Sequence, residues 1–237
     1  MAAHRFNSKY PISRMAQPLV VFTDFDGTIT NQDSIKLLLR NFGNEKWTDV
    51  QEQIDLGKIN EFKGLELLLN CLNIDFREVL KFIRQVVKVD NSFFLFSELL
   101  KSIDVPLYIV SSGSRQIIAE MIPRVEKLVS GVYSYDIEYI GGEYYVKNST
   151  GIKIGSHVNF KEAIVDKYKS DDFNVIYIGD GLSDFAAGTR ADVLFARGAL
   201  AEKCTAAKVS YRSFRSFNDI NSSFQYIFDK FYPKQLR

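Results

Sequence analysis

The sequence predicts an α/β protein: a parallel sheet whose strands alternate with helices, interrupted by one all-helical insertion. Three observations predict it. Short apolar, β-branched runs recur at 18–23, 105–110, 174–179 and 192–196, with helical stretches between them. Between the first two runs lies a block, 31–104, whose apolar residues fall at three- and four-residue spacing. Three of the runs end in polar clusters: Asp24-Phe25-Asp26, Ser111-Ser112-Gly113 and Gly179-Asp180-Gly181. In a parallel sheet such clusters converge on one edge, where open α/β sheets bind their ligands.

Taken in order, the first 17 residues are basic but lack an apolar centre, so they are expected to form a flexible leader rather than a secretory signal. The run containing Val20, Val21 and Phe22 is of strand type. The segments SIKLLLRNF, KWTDVQEQIDL, EFKGLELLLNCL, FREVLKFIRQVV and NSFFLFSELLKSI then read as helices broken at Gly43-Asn44, Gly57-Lys58 and Asn73. VPLYIV resumes strand character, with Pro106 at the strand start where it is tolerated, and RQIIAEMI after it is helical. Two alternating runs, DIEYI and EYYVK, flank Gly141-Gly142, which predicts a hairpin. FKEAIVDKY is helical, NVIYIGDGLSDFAAG reads strand–turn–helix, DVLFA is a strand, and a helix over 215–232 closes the chain. The expected units are therefore a core of 18–30 plus 105–237 and the helical block 31–104.

Composition narrows the function. A net charge of +1 gives no broad footprint for nucleic acid or a membrane surface. Two cysteines, Cys71 and Cys204, form no CxxC pair, so neither a zinc knuckle nor a disulfide framework is expected. With only two histidines, His4 and His157, a Ser-His-Asp hydrolase or a His-rich metal site is disfavoured. No apolar run long enough to span a bilayer occurs, and a cytoplasmic location is expected. What remains is a set of acids, Asp24, Asp26, Asp180 and Asp184, that the topology would gather at one edge. Like charges brought close cost free energy. Oxygen donors in that number suit a hard cation such as Mg²⁺. A carboxylate can also be a nucleophile toward phosphorus, forming an aspartyl-phosphate, if nearby positive charge lets it approach an anion.

DFDGT after an apolar strand, a second strand ending in Ser, a later Lys and GDGLSD resemble the four-motif pattern of the haloacid dehalogenase-like superfamily. The helical block between the first two motifs is similar to the small cap of its phosphoserine phosphatase branch. The wording DFDGTIT, IVSSGS and DVLFARG resembles the methionine-salvage phosphatases that act on a hydroxy-keto-methylthiopentenyl phosphate. The resemblance implies a Rossmann-like core with an inserted helical cap, and a Mg²⁺-dependent phosphomonoester hydrolase acting on a small phosphorylated metabolite.

It also implies roles, carried over onto matching positions. Asp24 would be the nucleophile and Asp26 the general acid and then base, its backbone carbonyl facing the metal. Asp180 and Asp184 would complete the metal site with Asp24 and Asp26. Thr28, Ser111, Ser112, Gly113 and Lys161 would bind the phosphoryl group, with Gly27 and Thr28 turning backbone N–H groups toward it. Lys153 is the alternative to Lys161. Asp33 stands where phosphoserine phosphatases carry a Glu that meets the substrate amine, and no cap arginine is assignable to a substrate carboxylate. A phosphotransferase or mutase using the same nucleophile, or a non-catalytic phosphate-binding protein on the same fold, are the alternatives. A dinucleotide-binding domain is disfavoured because DFDGTI replaces the glycine-rich first turn. No nucleic acid or membrane partner is expected, and the chain would be a monomer or a homodimer.

Overall fold

The structure is a computed structural model that describes residues 17–232. The expected leader, apart from Gln17, lies outside the described residues. The described residues begin with β1 (Leu19–Thr23) and continue through five α-helices, α1 (Ser34–Phe42), α2 (Trp47–Asp55), α3 (Glu61–Leu69), α4 (Phe76–Val86) and α5 (Asn91–Ser102). Then follow β2 (Leu107–Ser114), α6 (Arg115–Met121), β3 (Gly131–Ile140), β4 (Glu143–Lys147), α7 (Phe160–Ser170) and β5 (Asn174–Gly179). The last elements are α8 (Phe185–Arg190), β6 (Val193–Ala196), α9 (Gly198–Ala206), β7 (Arg212–Ser213) and α10 (Phe217–Phe231).

The strands form one sheet in the order β4-β3-β2-β1-β5-β6-β7, parallel except for β4 against β3. β1 is buried at every position because helices cover both faces of a parallel sheet. The chain turns outward in opposite directions from β1 and β5, which makes their boundary a topological switch point. Thr23 of β1 is level with Ile178 of β5, so Asp24 leaves the sheet beside Gly179, one residue before Asp180. Register alone therefore brings the two acidic loops together.

The hairpin forms as the two glycines predict. Gly141 and Gly142 take φ of +63° and +92°, and both lie in the left-handed region that such a turn demands. β3 starts before the alternating run, at Gly131, where it pairs in parallel with β2. β2 continues through Ser111–Ser114, which reads in sequence as the polar cluster beyond the strand run 105–110, with a register shift after Val110. α9 and β7 escape sequence reading. α9 buries only Leu200 and Cys204, too few for a periodic signal, and β7 is two residues long.

Four helix starts in the inserted block are capped by side chains at the preceding position: Asp33, Asn60, Asp75 and Asp90 accept backbone N–H groups of α1, α3, α4 and α5. The block divides in two. Phe93 and Phe96 of α5 pack edge-on or tilted against Phe217 and Phe224 of α10, so α5 is held by the last helix of the core. The two connections to α1–α4 cross at an antiparallel bridge between Thr30 and Val89. α1–α4 also hold the hairpin: Asn70 donates to Tyr144 O at 2.7 Å and accepts its N–H at 2.9 Å, and Tyr144 OH donates to Ile74 O at 2.6 Å. Cys71 and Cys204 are buried and free. No helix among the described residues is long and apolar enough to cross a membrane.

Candidate active site

The site is built on the ends of β1 and β5 and the first turn of α7. Asp24, the first residue after β1, is 6% exposed. Its N–H donates to Ile178 O at 2.9 Å, which anchors it to β5. Its Oδ1 accepts the Phe25 N–H at 2.7 Å and lies 3.0 Å from Lys161 Nζ. Lys161 reaches in from α7, whose start Asn159 caps. Its ammonium is buried and donates to Asp184 Oδ1 at 2.7 Å. Asp184 is locked from every side. Tyr177 OH donates to Oδ1 at 2.8 Å, and the N–H groups of Asp180 and Gly181 donate to Oδ2 at 3.2 and 3.0 Å.

One oxygen from each of Asp24, Asp180 and Asp184 lies within 4.8 Å of the others. Three carboxylates face one ammonium, so the cluster carries excess negative charge. The electrostatics register it. Burial and the neighbouring Asp184 push the Asp24 carboxyl well above its ordinary range, although Lys161 pulls it down. Burial, with Asp184 beside it, raises Asp180 to about 6. Burial alone would lower the Lys161 ammonium, but Asp184 and Asp24 outweigh it and hold the group charged. An all-oxygen donor set of this geometry fits a divalent cation that prefers carboxylates and water.

Asp26 occupies a different position. Its Oδ1 accepts the Ser34 N–H at 2.8 Å, and its Oδ2 faces Gly113, where a Cβ would lie 2.8 Å away. Burial, and then the charge of Asp33, raise it to about 7. The turn between Asp24 and Asp26 and the next helix is tight. Gly27 takes φ of +72°, and a Cβ there would come 2.3 Å from Asp180 Oδ2.

The expected phosphoryl-binding residues separate into two groups. Lys161 stands at the carboxylates, whereas Lys153 is exposed. Ser111 is buried with Oγ accepting the Gly113 N–H at 3.0 Å, which leaves its own proton to donate. The others are committed within the protein. Thr28 donates its hydroxyl to Asp180 Oδ1 at 2.8 Å and its N–H to Phe25 O at 3.2 Å. The Gly27 N–H is taken by Thr30 Oγ1 and Gln32 O. The turn closes on Phe25 O, so the N–H groups of Gly27 and Thr28 do not face outward as the sequence suggested. Gly113 spends its N–H on Ser111. Ser112 donates to Glu61 Oε2 of α3 at 3.0 Å. Asp33 is the cap of α1 and pairs with Lys36 at 3.1 Å.

Two residues with no role in the sequence reading complete the site. Arg197, directly after β6, donates to the carbonyls of Gly27, Thr28 and Thr30 and to Arg215 O, with its guanidinium 5.0 Å from the Phe214 ring centroid. It clamps the loop that carries Asp26 and brings positive charge near Asp180. Its signal was available: it follows a strand that ends at the same sheet edge. Glu61 has none in the sequence, because its reach depends on how α3 docks.

Switch-point strands, a buried lysine and strand-end carboxylates define an α/β enzyme core that handles anions. A family model described as haloacid dehalogenase-like hydrolase matches residues 21–189, which include the C-terminal end of β1, the helical insertion and every site residue named above except Arg197. The chain belongs to the haloacid dehalogenase-like hydrolase family. The 2-hydroxy-3-keto-5-methylthiopentenyl-1-phosphate phosphatase of Bacillus mycoides is 24% identical over 221 residues, covering 88% of this chain and 97% of that protein. Pdp3-interacting factor 1 of Schizosaccharomyces pombe is 30% identical over 223 residues, covering 89% and 96%. A solved phospho-aspartyl intermediate analogue of phosphoserine phosphatase has a TM-score of 0.64 at 18% identity, covering 89% of this chain and 99% of that one. The last likeness establishes the shared fold.

Proposed function

We propose that the protein is a Mg²⁺-dependent phosphomonoester hydrolase that acts on a small phosphorylated metabolite through an aspartyl-phosphate at Asp24. One observation carries this reading: the buried Asp24 carboxylate, 3.0 Å from the Lys161 ammonium, shares a cluster of oxygen ligands with Asp180 and Asp184. Relatives named as phosphatases support it.

Asp24, Asp180 and Asp184 would hold the metal, whose chemistry is to neutralise their excess charge and that of the phosphoryl oxygens. The remaining work falls to the chain. Lys161 orients Asp24 and lets it approach an anion as a carboxylate. Asp24 forms the new O–P bond while the ester O–P bond breaks. Asp26, raised to about 7 by burial and the charge of Asp33, keeps a substantial protonated fraction at neutral pH and gives its proton to the departing alkoxide. It then takes a proton from the water that attacks the aspartyl-phosphate, which releases inorganic phosphate and restores Asp24. Ser111 donates its hydroxyl to a phosphoryl oxygen. Asp26 at this position favours transfer to water, since it can act as base in the second step. The α1–α4 cap covers the strand ends and excludes bulk water.

Phosphate release from a panel of small phosphomonoesters, with and without Mg²⁺, tests the proposal. Release that needs Mg²⁺ and is lost in Asp24→Asn is the expected result. Mg²⁺-independent release, or release that survives Asp24→Asn, would refute it.

A further inference from the structure

On the hydrolase reading, an in-line displacement places the alcohol portion of the substrate on the side of phosphorus opposite Asp24. That side faces away from the sheet and toward the helical insertion. Glu61, the first residue of α3, reaches back from the insertion to the site. Its Oε2 accepts Ser112 Oγ at 3.0 Å and its Oε1 accepts Asn159 Nδ2 at 3.4 Å. Ser112 follows Ser111 on β2, and Asn159 lies two residues before Lys161. The carboxylate thus stands beside the residues expected to bind the phosphoryl group and inside the field of Lys161, which opposes the rise that burial imposes on its pKa. Each Glu61 oxygen has one protein donor, and a carboxylate offers about four acceptor positions, so acceptor capacity remains for a ligand.

The cation that acts on Glu61 is Lys161 of α7, and the arginines of the insertion do not reach it. Arg40, Arg77 and Arg84 are exposed, and Arg84 pairs with Glu120 of α6. Lys36 is paired with Asp33. We infer that Glu61 selects the substrate by its alcohol portion: phosphomonoesters whose alcohol portion ends in a hydroxyl or ammonium donor are accepted, and those that carry a carboxylate in that place are excluded. Specificity of this kind rests on an introduced repulsion as much as on a new contact.

The test compares kcat/KM for glycerol 3-phosphate and 3-phosphoglycerate, which differ by a hydroxymethyl group against a carboxylate, in wild type and Glu61→Gln. The amide of this variant keeps the shape of the carboxylate and can still accept from Asn159, so the substitution changes charge and not size. Wild type is expected to prefer glycerol 3-phosphate by at least about tenfold, the scale of one unfavourable like-charge contact. In Glu61→Gln that preference should fall by at least about fivefold, through a gain on 3-phosphoglycerate. An unchanged preference overturns the inference. Wild-type turnover of p-nitrophenyl phosphate, which has neither group, reports separately on hydrolysis. If wild type hydrolyses none of the three compounds, the hydrolase reading fails, and calorimetric binding of both ligands to Asp24→Asn, with and without Glu61→Gln, decides the selection. A shift of relative affinity toward 3-phosphoglycerate supports it; an unchanged ratio, or no binding of either, overturns it.

Discussion

Replacing Lys161 by methionine removes the ammonium and keeps an unbranched stem in a site that is 1% exposed. Asp24 and Asp184 lose partners at 3.0 and 2.7 Å. Removing one member of a buried ion cluster costs about 3–5 kcal/mol, because the remaining charge is left uncompensated. A ceiling follows from proton uptake. A stranded carboxylate can always be neutralised, and from an ordinary value of 3.8 to pH 7 is about three units, or ~4 kcal/mol. At pH 5 the same neutralisation costs about 1.6 kcal/mol. The sign follows from linkage: a carboxyl raised in the folded state makes that state bind more protons than the unfolded chain, so stability is lost as pH rises. Urea unfolding in metal-free buffer, followed by circular dichroism, should therefore show Lys161→Met less stable than wild type by about 3–4 kcal/mol at pH 7 and about 1–2 kcal/mol at pH 5. A loss under about 1 kcal/mol at pH 7, or one that grows toward pH 5, would refute a charge-compensating role for Lys161.

Other consequences are equally concrete. Asp26 and Asp180 are raised to about 7 and about 6, so the metal-free protein should lose melting temperature as pH rises from 5 to 8, and Mg²⁺ should flatten that slope; scanning calorimetry at both conditions checks it. Asp33→Asn keeps an acceptor at the α1 cap but removes a charge that raises Asp26, so the alkaline limb of the kcat profile should move to lower pH while α1 stays folded. Arg197→Met releases the carbonyls of Gly27, Thr28 and Thr30, and should cost about 2–4 kcal/mol in urea unfolding and lower kcat more than it raises KM. Gly27→Ala sets a methyl against Asp180 at a left-handed φ, and should abolish Mg²⁺-stimulated phosphate release, with at least about 1 kcal/mol lost in stability.

The strand-end acids were legible in sequence because topology alone decides where they go. An apolar run ending in Asp24 and another ending in Asp180 meet wherever two parallel strands share a register, and β1 and β5 do. Gly141-Gly142 fixed the hairpin for a local reason, since few other residues take that turn. Lys161 was legible as a helix-start lysine, but its preference over Lys153 needed the docking of α7. What stayed hidden was direction. Thr28 turns to Asp180, and Ser112 to Glu61, because their partners come from distant segments that pattern reading does not place. Asp33 stands where phosphoserine phosphatases carry a Glu, and its carboxylate is spent on the first turn of α1 and on Lys36. The division of the helical block was also invisible. α5 has the same periodicity as α1–α4, and the aromatic face of α10 that it packs against comes from a distant segment of the chain.

Covalent phosphorylation of Asp24 is the centre of the proposed function, and it can be observed directly. Wild type turning over a phosphomonoester with Mg²⁺ is quenched in acid, digested and examined by mass spectrometry. A phosphoryl adduct on the peptide containing Asp24, removed by hydroxylamine and missing in Asp24→Asn, is the expected result. Steady turnover with no adduct at any quench time, or an adduct on another residue, would contradict the assignment of Asp24 as the nucleophile.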